Sequence, residues 1–234
     1  MNTERKKQRK IYTVTMNPAL DMSAETEVVE PDRKNRCRKQ RFDAGGGGVN
    51  VSRAIRELGG WSEAFYLQGG FSGMILAAML DREGIIQHSV SVKSITRQNI
   101  LVMQTADNTN YRFVMPGPTI AEKEYKEMMT IMLNTIEKGS YVVVSGSLPH
   151  GVPETYYADL ISGLAKKSVK VILDTSGKAL ISAVMCDSIH VLKPNKREFE
   201  QLSGEEIVNE HQLEKSACRF IEKGMVHALV ISRG

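Results

Sequence analysis

The sequence predicts an α/β fold built on a mostly parallel sheet, and three observations carry that prediction. Four short, apolar, β-branched runs (Tyr141–Val144, Val169–Leu173, His190–Leu192 and Ala228–Ile231) are separated by helical segments, as buried parallel strands are. Each run ends in polar residues: Ser145-Gly146-Ser147, Asp174-Thr175-Ser176-Gly177, Lys193-Pro194-Asn195 and Ser232-Arg233-Gly234. Upstream, the stretch from Asp43 to Asn50 holds four glycines, Gly45 to Gly48. It opens a run of helical periodicity through Val51, Ala54, Ile55 and Leu58 that stops at Gly59-Gly60.

In chain order, residues 1–10 read as a basic solvated tail, and Ile11–Thr15 as a strand ending at Met16-Asn17-Pro18. That strand delivers Asn17 and Asp21 to its carboxyl mouth. Asp21 there either accepts hydrogen bonds from a polyol or satisfies backbone N–H groups of a turn. The segments Glu25–Phe42 and Arg97–Val114 are short, polar and strand-like, and predict a small separate sheet, either a flap over a pocket or an edge hairpin. Lys34, Arg36 and Arg97 lie in or beside it. Arginine's forked donors suit phosphate oxygens, whereas singly such residues are surface charges. Ser62–Gln68 reads as a strand and Ser72–Glu83 as a helix. Ala121–Glu137 reads as an amphipathic helix whose Tyr125, Met128, Met129, Met132, Leu133 and Ile136 form a core stripe rather than a cofactor box.

The totals bound the function. With 234 residues, 41% hydrophobic and 25% charged, the composition is that of one main globular domain with room for a small appendage. The formal charge is +4, and the basic clusters Arg5–Lys10 and Arg33–Arg41 carry no interleaved aromatics, so nucleic acid is not an expected partner. No apolar run reaches membrane-spanning or signal-peptide form, which makes a cytoplasmic protein without a membrane partner the expectation. Cys37, Cys186 and Cys218 are odd in number and far apart, and read as buried or half-buried thiols. The five histidines lack ligand spacing, so zinc is not expected.

The glycine run leaves backbone bare for a ligand, with helix N–H groups and Asn50 facing the same space; its alternative is a flexible loop or a tight packing turn. In open α/β sheets a ligand lies outside the carboxyl ends of the strands, so one crevice collects Ser145, Asp174, Lys193, Asn195 and Ser232. Asn195 and Glu198 stand three apart at a helix start and share a face. They suit a hydrated Mg2+, or a cap in which Asn195 accepts backbone N–H and Glu198 complements the dipole, and both readings can hold at once. GxxxxGK[ST] is missing, and no G-x-G-x-x-G stands near the first strand, which excludes a P-loop and disfavours a dinucleotide site. A polyol pocket of Asp21, the glycine loop and Asn50 beside a nucleotide crevice points to a kinase.

Seven pieces of sequence match a known pattern: Thr13–Asp21 (TVTMNPALD), Gly45–Ile55 (GGGGVNVSRAI), Thr96–Asn99 (TRQN), Tyr111–Gly117 (YRFVMPG), Val144–Pro149 (VSGSLP), Leu173–Gly177 (LDTSG) and Leu192–Glu198 (LKPNKRE). In these the chain resembles the ribokinase-like, PfkB-type sugar kinases, and among them the minor-type 6-phosphofructokinases. The resemblance implies a three-layer α/β/α domain over residues 11–234 with a β-sheet lid at about 25–42 and 97–114. It also implies ATP- and Mg2+-dependent phosphorylation of fructose 6-phosphate to fructose 1,6-bisphosphate. Related 1-phosphofructokinases and tagatose-6-phosphate kinases usually carry lysine in a GGKGxN loop, where this chain has Gly47; those sugars, and a non-catalytic sugar-phosphate-binding role, are the alternatives.

Carried over by position, Asp21, Gly46, Gly47 and Asn50 hold sugar hydroxyls and Arg97 the 6-phosphate. Lys34 and Arg36 add basic groups from the lid, across a homodimer formed by two lid sheets. Ser145, on the substrate side, and Asp174, on the ATP side, line the middle of the cleft. Lys193, Asn195 and Ser232 serve ATP, and Glu198 with Asn195 serves Mg2+. The family's catalytic aspartate and anion hole belong to a Gly-Ala-Gly-Asp motif that this sequence does not contain. The expectation is that the motif lies beyond Gly234, in a C-terminally truncated chain that exposes apolar sheet surface and is poorly stable or self-associates.

Overall fold

The computed structural model describes residues 9–186 and 188–232; most of the basic tail (1–8), Asp187 and the terminal Arg233-Gly234 lie outside the described residues. In chain order the elements are β1 (Ile11–Thr15), β2 (Ala19–Thr26), β3 (Arg38–Gly45), α1 (Gly47–Glu57), β4 (Glu63–Gly69), α2 (Gly70–Arg82), β5 (Ile86–Val92), β6 (Arg97–Gln104) and β7 (Thr109–Phe113). There follow α3 (Glu122–Thr135), β8 (Tyr141–Ser145), α4 (Tyr156–Ala165), β9 (Lys170–Asp174), α5 (Gly177–Val184), β10 (Ile189–Leu192), α6 (Lys196–Ser203), α7 (Glu210–Glu222) and β11 (Val226–Leu229).

Seven strands pair in parallel in the order β11-β10-β9-β8-β1-β4-β5. The chain leaves β1 toward β4 and β5, then returns to β1's other edge with β8 and runs outward to β11. The order therefore reverses between β1 and β8, and a ligand crevice forms at such a reversal, outside the carboxyl ends of the strands.

Alternation along the strands sends side chains to two helical layers. Tyr12, Val14, Val144, Leu173 and Leu192 face one layer, where Met128 and Met132 of α3, Leu160 of α4 and Phe199 of α6 join one buried cluster. The methionine stripe is core packing: Met128 and Met132 are 0% exposed, and truncating either to alanine would cost about 2–5 kcal/mol. On the other side Ala64 and Tyr66 of β4 pack with Val49 of α1 and Leu76 and Leu80 of α2. The three-layer expectation holds.

Beside this body stands a four-stranded sheet in the order β3-β2-β6-β7. β2 pairs antiparallel with β3 and parallel with β6, and β6 pairs antiparallel with β7. Its first half starts earlier than expected, at Ala19, and its second strand runs into Gly45. Asp21 is therefore a strand residue, opposite Asp43 and Asn99, rather than part of a turn after β1. Pro18 breaks β1, and β2 resumes at once in the second sheet. The last strand likewise starts at Val226, two residues before the expected run. Strand β5, whose IQHSVSV pattern is too polar to read as a buried strand, was not expected at all. Cys37 and Cys218 are exposed rather than buried, because β3's outer end and α7 face water there; Cys186 is half-buried. Among the described residues no helix is long and apolar enough to cross a membrane.

Candidate active site

The glycine run sits at the reversal between β1 and β8. Gly46, at φ 113°, precedes the first turn of α1, and its carbonyl accepts the N–H of Asn50 at 2.8 Å. The other glycines are required by close approach. A Cβ on Gly45 would run into the Asp21 carboxylate. On Gly47 it would run into Ser145 Oγ and lie 2.9 Å from the Gly146 nitrogen, and on Gly48 it would lie 2.6 Å from the Val14 carbonyl oxygen. The loop is thus a rigid junction, and Thr15 Oγ1 accepts the Val49 N–H at 2.8 Å to hold it. It brings Asp21 to one side and Ser145 to the other. Asn50 stands exposed on α1 in the same first turn.

Across the reversal, three strand ends converge on one carboxylate. Ser145 donates to Asp174 Oδ2 at 3.3 Å, and Lys193 Nζ lies 3.2 Å from the same oxygen. The backbone fixes these ends: Gly146 N–H donates to the Asp174 carbonyl at 2.9 Å, and Lys193 N–H to that of Leu173 at 2.9 Å. Farther along, Ser232 is bridged to Asn195, donating its N–H to the Pro194 carbonyl at 3.0 Å and accepting that of Lys196 at 3.1 Å. Ser145 and Lys193 both contact Asp174, with Asn195 and Ser232 next in the row.

Asn195 and Glu198 form a reciprocal cap on α6. Asn195 Oδ1 accepts the Glu198 N–H at 2.9 Å, and Glu198 Oε2 accepts the Asn195 N–H at 2.7 Å. One carboxylate oxygen, Oε1, is left without a protein partner among the described residues. A hydrated Mg2+ asks few protein ligands, and this single free oxygen fits it through a water.

The small sheet supplies a second group. A cavity of about 410 Å3 is lined by Asp21, Asp43, Asn99, Leu101, Arg112 and Val114, among others. Asn99 donates to Asp21 Oδ1 at 2.7 Å while its own oxygen accepts the Met115 N–H at 3.2 Å, so the amide is fixed with its NH2 toward the carboxylate. Arg97 reaches the Asn17 carbonyl at 3.2 Å and the Met115 carbonyl at 3.5 Å; its Nε is buried without a partner among the described residues. Burial lowers the Arg97 pKa and the nearby Asp21 charge opposes that shift, so the guanidinium lacks a full counter-charge. Lys34 and Arg36 are not brought to this group. They line a separate cavity of about 470 Å3 with Thr26, Glu27 and Glu30. Thr26 stands five residues along β2 from Asp21, roughly 16 Å at about 3.3 Å per residue.

Two residues of this site were missed in the sequence, Asn99 and Arg112. Both lie in the stretches TRQN and YRFVMPG, yet only the pairing of β2 with β6 and of β6 with β7 places them beside Asp21. The register itself is the missing signal, since Arg112 pairs with Leu101 and Asn99 with Asp21.

The sequence matches the family described as pfkB family carbohydrate kinase over residues 14–234. It is 38% identical over 225 residues to the ATP-dependent 6-phosphofructokinase isozyme 2 of Escherichia coli, which covers 96% of this chain and 72% of that protein. It is 34% identical over 235 residues to the D-tagatose-1-phosphate kinase of Bacillus licheniformis, covering 95% of this chain and 75% of that protein. The fold superposes on the crystal structure of Escherichia coli phosphofructokinase-2 in complex with fructose-6-phosphate with a TM-score of 0.93, at 37% identity, over 97% of this chain and 75% of that one. A structure of the same enzyme's tetrameric inhibited form superposes at 0.91, at 37% identity, over 97% of this chain and 74% of that one.

Proposed function

This chain belongs to the pfkB family of carbohydrate kinases, phosphotransferases with a ribokinase-like fold, and we propose that its sugar is fructose 6-phosphate, phosphorylated by ATP at the 1-hydroxyl. The observation that carries this choice is the packing at Gly47. A lysine there, as the resemblance expects for kinases of fructose 1-phosphate or tagatose 6-phosphate, would have to start from a Cβ inside Ser145 and Gly146. No cation can therefore stand at the sugar's 1-position from this loop. The available guanidiniums, Arg97 and Arg112, lie on the small sheet on either side of the Asp21–Asn99 pair, and suit a 6-phosphate.

Each residue then has a task. Asp21, held by Asn99, accepts sugar hydroxyls, with the bare backbone of Gly46 and Gly47 and the Asn50 amide completing the sugar cradle. Arg97 and Arg112 clamp the phosphate. Ser145, bonded to Asp174, faces the sugar side, and Lys193 offers its ammonium to the nucleotide phosphates beside Asn195 and Ser232. Mg2+ bound through water to Glu198 would neutralise nucleotide charge. Catalysis of this kind rests on positioning and charge, and Asp21, Ser145 and Lys193 are held by Asn99 and Asp174 before any ligand arrives. Residues 11–234 act as one kinase unit, with the small sheet as lid. The apolar face of that lid carries Met22, Phe42, Ile100 and Phe113 in one cross-strand row and pairs with a second copy in a homodimer, bringing in the partner's basic groups.

An ATP-dependent assay on fructose 6-phosphate, with the product mapped by phosphorus NMR, tests the reading. Transfer to the 1-hydroxyl is the expected result. Turnover of fructose 1-phosphate or tagatose 6-phosphate in preference would overturn it.

A further inference from the structure

Helix α4 opens on Tyr156-Tyr157, and its buried residues Tyr157, Leu160, Ile161 and Leu164 recur at helical spacing. A tyrosine in such a stripe brings a hydroxyl into the core, where it needs a partner. The two tyrosines find theirs in different places. Tyr156 donates to the Tyr125 carbonyl at 3.0 Å, within the layer that α3 and α4 make. Tyr157, 0% exposed, donates instead to the Gly146 carbonyl at 3.2 Å, just past the carboxyl end of β8. Burial pushes the Tyr157 pKa up, opposed by a hydrogen bond with the backbone of Met16, so the hydroxyl keeps its proton and remains a donor.

The Gly146 carbonyl takes a second hydroxyl, that of buried Thr175, at 2.9 Å from the end of β9. One partner satisfies a carbonyl; two, reaching it from α4 and from β9, fix the plane of the peptide. Gly146 has φ 106°, and its nitrogen lies against the glycine loop, where a Cβ on Gly47 would come within 2.9 Å of it. The peptide so held is the wall of the cleft that faces that loop. In a trans peptide the N–H points away from the C=O. With the Gly146 carbonyl turned to the core, the Ser147 N–H points out of it, on an exposed residue whose Oγ accepts Asn17 Nδ2 at 3.2 Å.

We propose that Tyr157 is a positioning residue of the sugar site: with Thr175 it holds the Gly146 carbonyl inward, so that the Ser147 N–H faces the cleft as a donor to a hydroxyl oxygen of the sugar. This inference rests on the fructose 6-phosphate reading above and deepens it. Titration calorimetry of the whole chain with fructose 6-phosphate and, separately, with ATP tests it on Tyr157→Phe, Tyr156→Phe and Tyr157→Phe/Thr175→Val, with each melting temperature recorded. Tyr156→Phe is the control, since it strips a buried hydroxyl from the same turn of helix that serves only the core. The expected result is a fructose 6-phosphate affinity at least about threefold lower in Tyr157→Phe and lower again in the double variant, while Tyr156→Phe stays within about twofold of the unaltered chain. ATP affinity in Tyr157→Phe is expected to stay within about twofold. No loss in Tyr157→Phe, a loss that Tyr156→Phe matches, or a loss that ATP shares equally overturns this inference and leaves the sugar reading standing. An unaltered chain that binds no fructose 6-phosphate overturns both.

Discussion

Arg97 shows how a single side chain carries the site's electrostatics. Two of its nitrogens are spent on the backbone carbonyls of Asn17 and Met115, Nε is buried without a partner among the described residues, and burial holds its pKa down. The phosphate of the proposed sugar would supply the missing counter-charge. Hydrogen bonds to charged groups are worth about 1.5–3 kcal/mol, so Arg97→Ala should weaken fructose 6-phosphate binding roughly ten- to 150-fold while leaving nucleotide affinity unchanged, as titration calorimetry would read. Equal losses for both ligands would show a folding defect instead. At this scale the sequence was partly legible. Asp21, Gly47, Ser145, Asp174 and Lys193 could be named because strand ends and glycine runs are local patterns. Arg112 and Asn99 could not, because strand register is not written in either strand alone. Lys34 and Arg36 were read together with Arg97 on charge, and the length of β2 keeps them apart in one chain.

Helix α6 is positioned by its own first turn. The Asn195–Glu198 cap satisfies two backbone N–H groups that a helix start otherwise leaves free. Asn195→Ala should cost about 1 kcal/mol of stability and lower the melting temperature, and should weaken nucleotide binding as the Ser232 bridge loosens. The strands β10 and β11 carry another local test. His190 and His227 stack with ring centroids 4.6 Å apart, and burial, Lys170 and His227 together lower the His190 pKa. The unfolded chain then binds more protons than the folded one, so stability is lost as pH falls through and below about 6.5. His190→Gln should flatten that acid limb of a melting-temperature profile, and an unchanged profile would contradict the assignment. The helices and buried strands were legible from periodicity. β5 and the start of β2 were not, since a polar alternation and a proline hide strands whose pairing is settled by neighbours.

The whole molecule is organised by one event, the reversal of strand order between β1 and β8, which sets the glycine junction against Ser145 and gathers four strand ends into a row. One helical layer covers the sheet fully. On the opposite face the register aligns Val143, Ile172, Val191 and Ala228 in a continuous row across β8 to β11, and these remain only half-buried. Parallel strands are usually covered on both sides, so this row is apolar surface open to association. Asp21, Asn99, Arg97 and Arg112 stand on the small sheet and Gly47 on the body, beside Ser145. Which phosphosugar the site accepts follows from the placement of these groups. Titration of the chain with fructose 6-phosphate, fructose 1-phosphate and tagatose 6-phosphate measures it directly. The structure calls for fructose 6-phosphate to bind at least about tenfold more tightly than fructose 1-phosphate, the difference of one charged contact. Equal affinities, or a preference for the 1-phosphate, would contradict the reading of Gly47 and of the arginines with it.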